Sequence, residues 1–298
     1  MSEILRNLSE AFAAAVEAAG QGVVRIEARR RFAASGIVWS PDGVIITADH
    51  VIKREDKILV GLPNGEAVAA TLVGRDPSTD LAVLRVQGAS LTPLTFAESN
   101  SARVGDLVLA VARPGQNVQA TLGIVSILGK KWRPAIGGLL DHYLQPDVAM
   151  YPGFSGGPLV SATGQVLGLN TSALLRHASV TIPTATLRRV VGELLAHGRI
   201  RRGYLGIGTQ PVYLPKALQQ QLSQETGMLL VSVEPDSPAE KAGLILGDAI
   251  VSIAGQPIRR FNELATFLSG DRIGEQLLVR IVRGGQVQEL SVIVGERT

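Results

Sequence analysis

The chain has 298 residues, of which 46% are hydrophobic, and it carries a formal net charge of +3 and no cysteine. This length suits two or three domains with sizeable buried cores. The charge is too small to indicate a nucleic-acid partner, and the lack of cysteine excludes disulfides, thiolate nucleophiles and cysteine-ligated zinc.

The first twenty residues have the pattern of an amphipathic helix. Leu5, Leu8, Phe12 and Val16 recur at helical spacing, and Gly20 is a stop signal. Three glutamates interrupt the apolar residues, so we expect no signal peptide, and no apolar run is long enough to span a membrane. These features predict a cytoplasmic protein, or a periplasmic one if a signal peptide has been removed.

Beyond Gly20 the sequence changes to short β-rich segments separated by turn signals at 41–43 and 63–65. These segments are VVRIEA, GIVWS, VIITADHVI, KILVGL, AVAATLVG, LAVLRV, LVLAVA, ATLGIVSIL, PLVSATG and QVLGLNT. Many short strands at close spacing favour antiparallel sheets in a sandwich or barrel rather than βαβ units.

A helix is predicted over 186–197, where leucines and valines recur on one face and Gly198 ends the pattern. The next four residues, 199–202, have the composition of a linker. A smaller unit follows over 203–298. It is predicted to contain four strands and two short helices, the helices at 238–242 and 261–268.

The segment YPGFSGGPLV, residues 151–160, places three glycines around Ser155. Glycines allow a tight bend and a close approach of the backbone to another molecule. The segment also fits the G-x-S-x-G pattern of α/β-hydrolases. That reading requires a helix after the serine and a histidine late in the chain. Strand-like sequence follows Ser155 instead, so the context argues against an α/β-hydrolase.

Four histidines are available as a partner for Ser155. His197 lies at the end of a predicted helix, and His142 and His177 lie in predicted loops. His50 stands between apolar residues at the end of a predicted strand, where the fold would hold it rigidly. A packed, hydrogen-bonded histidine with no catalytic role is the alternative for His50.

Asp80 directly precedes the strand segment LAVLRV, a position that predicts partial burial. A buried carboxylate is costly unless it is paired, and a histidine N–H can pair with it. Asp76 competes as the acid but precedes Pro77 and resembles a turn former. The order His50, Asp80, Ser155 supplies a general base, an orienting acid and a nucleophile. Gly153 and Ser155 can direct two backbone N–H groups at one developing oxyanion.

Seven segments together resemble the HtrA (DegP/DegS-like) family of serine proteases. They are TADHVI, DPSTDLAVLRV, GIVSILG, PGFSGGPLV, GLNTS, RRGYLGI and SPAEKAGLILGDAIVSIAGQPI. The resemblance implies a mainly β chain, with a chymotrypsin-like double β-barrel protease domain followed by a smaller α+β PDZ domain. The implied divisions are an N-terminal helix at 1–20, the protease domain at 21–198, a linker at 199–202 and the PDZ domain at 203–298.

The resemblance also implies roles for individual residues. His50 corresponds to the base, Asp80 to the orienting acid and Ser155 to the nucleophile, while Gly153 and Ser155 match the oxyanion-hole positions. Two positions depart from the family pattern. Phe154 stands where the family usually has Asn, and Ala34 stands where it often has Gly.

The resemblance to chymotrypsin-fold enzymes places the base of the specificity pocket six residues before the nucleophile, at Ala149. No acid stands there, so cleavage after Lys or Arg is not expected. Leu174 and Leu175 follow the GLNTS segment and match the loop that lines the pocket, although ordinary core packing is an alternative for both. We expect cleavage after small or medium aliphatic residues, with weak discrimination between them.

The segment YLGI resembles the loop of PDZ domains that binds a chain-terminal carboxylate. The implied peptide-binding residues are Tyr204, Leu205, Gly206, Ile207, Leu264 and Phe267. Four of these residues are Leu205, Ile207, Leu264 and Phe267. The alternative for these four is that they form ordinary core.

The resemblance implies an ATP-independent serine endopeptidase that degrades misfolded or unfolded proteins in quality control under stress. C-terminal peptides would regulate it through the PDZ domain. No cofactor and no metal are expected, and H-E-x-x-H is absent from the sequence. A homotrimer is implied, with Leu5, Leu8 and Phe12 as candidate contacts. The alternative function is a non-proteolytic holdase on a protease scaffold.

Overall fold

The computed structural model describes residues 2–29, 32–88, 90–98, 101–134, 138–175, 178–268 and 270–297, and omits the side chains of Ser2 and Asp271. His177 therefore lies outside the described residues. The chain forms two compact units, Met1–Ile200 and Arg201–Thr298. Within the described ranges, no helix combines the length and the apolar character needed to cross a membrane.

The first unit begins with helix α1 (Ser2–Gly20). Ala15 and Ala19 are buried, and Phe12 and Val16 pack against the core of this unit. Leu5 and Leu8 share the predicted apolar face but are 65% and 41% exposed. The second half of α1 is therefore anchored to the unit, while the apolar side chains of its first half remain exposed.

Six antiparallel strands follow and close into a barrel in the order β1-β2-β3-β6-β5-β4. The strands are β1 (Val23–Glu27), β2 (Ala34–Val38), β3 (Val44–Ala48), β4 (Ile58–Gly61), β5 (Ala67–Asp76) and β6 (Leu81–Val86). Every residue of β2 and β3 is buried, as expected for short apolar strands inside a packed barrel.

A second sheet of six strands has the order β12-β11-β10-β7-β8-β9. Its strands are β7 (Leu107–Ala112), β8 (Gln119–Gly129), β9 (Tyr143–Asp147), β10 (Pro158–Ser161), β11 (Val166–Thr171) and β12 (Val180–Pro183). The outer strands β9 and β12 lie beside each other, so this sheet also curves into a barrel-like form. Helix α2 (Thr184–His197) follows and ends at Gly198, whose φ of 70° is left-handed.

The second unit combines a five-stranded antiparallel path, β14-β15-β16-β18-β19, with short helices. Its elements are β13 (Gly203–Tyr204), β14 (Ile207–Tyr213), α3 (Lys216–Leu222), β15 (Thr226–Val233), α4 (Pro238–Lys241), β16 (Ala249–Ile253), β17 (Gln256–Pro257), α5 (Phe261–Ala265), β18 (Gln276–Arg283), β19 (Gln286–Ile293) and β20 (Gly295–Glu296). Two 3₁₀ turns, Thr266–Leu268 and Gly270–Arg272, precede β18. The observed order confirms a mainly β chain with two barrel-like sheets and a smaller α+β unit.

Candidate active site

Asp80 and His50 form a direct pair between two strand ends of the first barrel. His50 lies in a 3₁₀ turn, Asp49–Val51, directly after β3, and Asp80 directly precedes β6. Asp80 Oδ2 lies 2.8 Å from His50 Nδ1, and Asp80 Oδ1 accepts the backbone N–H of His50 at 2.8 Å. Asp80 as a whole is only 2% exposed. Two bonds from one residue therefore fix both the imidazole ring and its backbone.

This pairing determines which ring nitrogen of His50 carries the proton. An ionised carboxylate only accepts hydrogen bonds, so Nδ1–H must donate to Asp80. The other nitrogen, Nε2, then has a free lone pair when the imidazole is neutral. A neutral histidine held in this tautomer can act as a general base.

Thr171 completes the hydrogen bonding of Asp80 from the second sheet. Its hydroxyl donates to Asp80 Oδ2 and accepts the backbone N–H of Ala173 at 3.0 Å. Thr171 was not predicted as a site residue, although it is the threonine of the GLNTS segment. Asp76, the competing acid, accepts the hydroxyls of Ser78 and Thr79 at 2.6 Å each, so it stabilises the turn that precedes Asp80.

The turn that carries His50 is also held from its other side. Arg75 donates to the buried carboxylate of Asp49 at 2.5 Å and to the carbonyl oxygens of Asp49 and Ile52 at 3.4 and 3.3 Å. The hydrogen bond to Asp49 raises the pKa of the Arg75 guanidinium above its ordinary value. This contact keeps the second carboxylate near His50 paired with a cation.

Ser155 lies in the loop between β9 and β10 and shares a cavity with His50. Its Oγ is 3.3 Å from Ser172 Oγ, and either hydroxyl can donate. Among the described residues, no hydrogen bond joins Ser155 to His50. Serine Oγ has three staggered positions available, and catalytic hydrogen bonds often form only when substrate is bound. Ser172 is the serine of the same GLNTS segment and was also not predicted.

Glycine is required in this loop by its backbone angles and by its close packing. Gly153 and Gly156 have φ angles of 97° and 89°, which side chains rarely allow. A Cβ at Gly153 would lie 2.4 Å from Pro114 Cβ, and one at Gly156 would lie 2.0 Å from the Ser35 carbonyl oxygen. The loop therefore packs its backbone directly against neighbouring segments.

Within the glycine-rich part of the loop, residues 153–157, two backbone donors are unused. Phe154 N–H donates to Tyr151 O and Gly156 N–H donates to Asn170 O. Within the described part of the chain, neither the N–H of Gly153 nor that of Ser155 has an acceptor. Phe154, which departs from the family pattern, is 1% exposed, so its ring belongs to the core beneath the loop.

The cavity that contains Ser155 has a volume of about 330 Å³. Its lining includes His50, Met150, Gly153, Ser155, Ser172 and Ser179. Arg29 and Phe32 also contribute, and the described lining residues include no carboxylate. A neutral or acidic substrate side chain suits this lining better than a basic one.

The three residues predicted for the specificity pocket do not line this cavity. Leu174 is 5% exposed and belongs to the first unit's core, and Leu175 packs against the same core. Ala149 is exposed, and its carbonyl oxygen accepts the Thr121 hydroxyl at 2.8 Å. Both leucines therefore belong to ordinary core packing, which was the alternative to lining the pocket. Burial among apolar side chains removes their own apolar surface from water. Met150 lines the cavity in their place.

The YLGI segment of the second unit forms a loop between β13 and β14. Gly206 has a φ of 77°, and a Cβ there would lie 2.2 Å from Ser237 Cβ. Where the structure describes the chain, the N–H groups of Leu205 and Gly206 have no acceptor. Tyr204 OH donates to Glu234 at 2.5 Å, and this bond raises the pKa of Tyr204. The loop thus presents backbone donors at one end of β14.

The predicted side-chain wall of the peptide groove is buried. Leu205, Leu264 and Phe267 are 2%, 1% and 3% exposed in one core cluster, and Ile207 packs against it. Their apolar side chains fill the space between α5 and the sheet. The strand β14 is nevertheless an edge strand, paired on one side with β15.

Of the other histidines, His142 precedes β9 and is half-buried, and His197 is the last residue of α2. Burial lowers the pKa of His142 below its ordinary value of 6.5, although Asp141 partly opposes this. Neither residue contributes to the cavity of Ser155.

Two domain families match the chain. The trypsin-like peptidase domain matches residues 34–169, and the PDZ domain matches residues 203–294. A "Probable periplasmic serine endoprotease DegP-like" of Chlamydia trachomatis is 35% identical over 87% of this chain and 53% of its own length. A protein of the same name from Pseudomonas savastanoi is 38% identical over 88% and 55%. The chain thus spans about half the length of these curated relatives.

Solved structures match over nearly their whole length. The serine endoprotease from Yersinia pestis has a TM-score of 0.79 and 31% identity, with 96% of this chain and 98% of that chain covered. The HtrA-type protease AlgW with a decapeptide has a TM-score of 0.80 and 28% identity, with 96% and 99% covered. The names of the curated relatives refer to the periplasm, so the cytoplasmic prediction finds no support among them.

Proposed function

Because the chain belongs to the HtrA-type family of serine proteases, with a trypsin-like peptidase domain followed by a PDZ domain, we propose that it is an ATP-independent serine endopeptidase. The observation that carries this proposal is the 2.8 Å pairing of His50 Nδ1 with buried Asp80, beside a cavity that contains Ser155. In the proposed mechanism, Ser155 is the nucleophile, His50 the base and Asp80 the orienting acid.

Catalysis begins when Ser155 Oγ exchanges its contact with Ser172 for one with His50 Nε2. Substrate in the cavity would favour this exchange, since it brings a carbonyl carbon to Oγ. His50 then takes the hydroxyl proton as Oγ attacks that carbon. The imidazolium formed is stabilised by Asp80 and gives its proton to the leaving amine. Water then attacks the acyl carbon as His50 takes its proton. His50 returns that proton to Ser155 Oγ as the bond between Oγ and the acyl group breaks, and the carboxylic acid leaves.

The oxyanion of each tetrahedral intermediate needs donors that are already in place. The unused N–H groups of Gly153 and Ser155 suit that role, because they do not have to break a bond within the protein first. A single such donor contributes about 10²–10³ in kcat in a well-studied serine protease. The positive φ of Gly153 supports this assignment, since it keeps the loop in a conformation that other residues rarely adopt.

We propose cleavage after small or medium aliphatic residues. Met150 contributes an apolar, adaptable surface to the cavity, and no described carboxylate lines it to bind Lys or Arg. An apolar pocket discriminates weakly, by about 1–3 kcal/mol for one methylene. Unfolded proteins present many such sites, so misfolded proteins are the proposed substrates.

The second unit is proposed to bind C-terminal peptides. A peptide can add as a strand beside the edge strand β14, while the N–H groups of Leu205 and Gly206 receive its carboxylate. Calorimetry with two forms of one apolar-ended peptide tests this. The free acid should bind and the C-terminal amide should not, because only the carboxylate forms charge-assisted hydrogen bonds. Equal binding of both peptides would contradict carboxylate capture.

We further propose a homotrimer and a location outside the cytoplasm. Ile4, Leu5 and Leu8 of α1 are 71%, 65% and 41% exposed, which leaves an apolar surface for contact with other copies of the chain. The location rests on the names of the relatives. Sedimentation should give three times the mass of one chain, and a Leu5→Glu and Leu8→Glu double variant should sediment as a smaller species. A wild-type monomer would contradict the trimer.

Casein degradation tests the proteolytic activity itself. The purified chain should degrade casein without ATP, and its Ser155→Ala form should fold equally well and lose the activity. Suppression of casein aggregation by both forms, with no cleavage by either, would instead support the holdase alternative.

A further inference from the structure

Ser35 lies beneath the loop that carries Ser155 and is completely buried. It belongs to β2 in the first barrel, whereas the loop belongs to the second sheet. The backbone N–H of Ser35 donates to Ser155 O at 3.1 Å, and its hydroxyl donates to Gly153 O at 2.7 Å. One residue therefore holds two carbonyl groups of the loop, one on each side of Phe154.

The direction of the Ser35 hydroxyl hydrogen is fixed by a third contact. The backbone N–H of Arg113 donates to Ser35 Oγ at 2.8 Å. A serine hydroxyl has a single hydrogen. Since Arg113 N–H occupies a lone pair of Oγ, the hydroxyl hydrogen is directed to Gly153 O.

Arg113 is a buried cation, with 6% exposure, and its charged group is held by backbone carbonyls. Its guanidinium donates to Gly20 O at 2.8 Å, to Val23 O at 2.7 Å and to Gln116 O at 2.6 Å. Gly20 is the last residue of α1. The contact to Ser35 therefore comes from a segment that is fixed to the end of the N-terminal helix.

These bonds constrain the loop without using the donors assigned to the oxyanion. Ser35 holds the carbonyl of the peptide between Gly153 and Phe154, and Phe154 N–H, at the other end of that peptide, donates to Tyr151 O. The plane of this peptide is fixed at both ends. The N–H groups of Gly153 and Ser155 belong to the two neighbouring peptides, which share their Cα atoms with this anchored plane.

We propose that Ser35, oriented by Arg113, is a positioning residue that keeps the N–H groups of Gly153 and Ser155 directed at the reacting carbonyl oxygen. This role rests on the proposed function, because it acts through the oxyanion-binding donors. Ser35 touches no reacting atom. Its loss should weaken transition-state stabilisation and leave the binding of substrate in the ground state largely intact.

The Ser35→Ala variant removes the hydroxyl and keeps the backbone bond to Ser155 O. We expect kcat for a short fluorogenic peptide to fall about 10- to 100-fold, with KM within about twofold of wild type. This is less than the effect of deleting a whole oxyanion donor, about 10²–10³, because the N–H groups remain but lose their fixed direction.

Thr186 on α2 provides a matched control. It is also completely buried, its Oγ1 accepts the Asp141 N–H at 2.8 Å, and it donates to Asp141 Oδ2 at 3.0 Å. The Thr186→Val variant therefore loses a buried hydroxyl with the same two bonding roles, but it does not contact the Ser155 loop. It should lower the thermal midpoint as Ser35→Ala does and leave kcat unchanged.

A third variant, Ser35→Cys, keeps a weak donor and acceptor at nearly the same size. It should have a kcat between those of wild type and Ser35→Ala, and it carries the test if the alanine variant does not fold. A kcat within twofold of wild type in folded Ser35→Ala, or in Ser35→Cys where only that variant folds, would overturn the positioning role. An equal loss of kcat in Thr186→Val would do the same.

The outcome also separates this role from the proposed function. If wild type cleaves the peptide and Ser155→Ala does not, the protease assignment holds and the Ser35 variants decide the positioning role alone. If wild type and Ser155→Ala are equally inactive toward peptide and casein, the proposed function fails and the role of Ser35 fails with it.

Discussion

Replacing Gly153 with alanine tests whether the backbone geometry of the Ser155 loop supports catalysis. The φ of Gly153 is 97°, and an added Cβ would lie 2.4 Å from Pro114 Cβ and 3.0 Å from Ala33 O. A proline ring is rigid, so the contact cannot be relieved by a change of rotamer. The loop must shift instead, and the N–H groups of Gly153 and Ser155 must shift with it.

The expected magnitudes follow from two separate effects. Holding a non-glycine residue at an unfavourable φ costs about 1–3 kcal/mol. Displacing an oxyanion donor costs up to about 10²–10³ in kcat. We therefore expect Gly153→Ala to lower the free energy of unfolding by at least about 1 kcal/mol and to lower kcat about 100-fold.

Gly65 is a matched control in the same unit. Its φ is 91°, and a Cβ there would meet no described atom within 4 Å. Gly65→Ala should show the cost of the φ angle in urea denaturation and retain full kcat on a short peptide substrate. Folded Gly153→Ala with a kcat within threefold of wild type would show that catalysis does not depend on the backbone geometry of this loop.

Three further outcomes are expected. Thr171→Val removes the hydroxyl that donates to Asp80, so it should lower kcat at unchanged KM. It should also lower the free energy of unfolding by about 1.5–3 kcal/mol, the range for hydrogen bonds to charged groups. An unchanged kcat in kinetics together with an unchanged free energy of unfolding in urea denaturation would contradict this. Burial lowers the pKa of His142 in the folded protein, so this histidine binds a proton more readily in the unfolded chain. Between about pH 7 and pH 5, wild type should therefore lose more free energy of unfolding than His142→Gln. Parallel curves of stability against pH for the two proteins would exclude the effect. Asp248→Ala breaks the two 2.8 Å hydrogen bonds from Arg283 to Asp248, which is 1% exposed. Calorimetry should show the second unit less stable by about 2–3 kcal/mol. An unshifted thermal unfolding midpoint would count against a stabilising role for this ion pair.

The sequence predicted the pairing of His50 with Asp80 because each stands at the boundary of a distinct apolar strand segment. The supporting hydroxyls were not predicted. Ser35 and Gly153 are 118 positions apart, and Thr171 and Asp80 are 91 apart. A contact between a small polar side chain and a partner far away in the sequence leaves no local sequence pattern. Such contacts can be identified only when the structure of both sheets of the first unit is known.

Three strands of four or more residues were missed, for reasons that are visible in their residues. β9 (YLQPD) and β14 (IGTQPVY) each contain a proline, and β12 (VTIP) has four residues and ends in one. Proline cannot donate to a sheet ladder and is accepted mainly at edges and strand ends. The outer positions of β9, β12 and β14 in their sheets agree with this rule.

Apolar residues with similar sequence contexts differ in their burial in the structure. Leu174 and Leu205 were predicted to line binding sites and are buried in cores, whereas Leu5 was predicted on an apolar helix face and is 65% exposed. Hydrophobicity alone does not distinguish the wall of a pocket from a core or a contact surface. That distinction depends on which neighbours the complete fold supplies.

Ser155 is proposed to be a nucleophile that His50 activates. Labelling with a fluorophosphonate tests this activation, with the modified residue identified by mass spectrometry of the peptides. Wild type should carry one adduct, on Ser155, and folded His50→Ala should remain unlabelled over the same time. Folded wild type without an adduct on Ser155, or equally fast labelling of the His50→Ala variant, would contradict the claim.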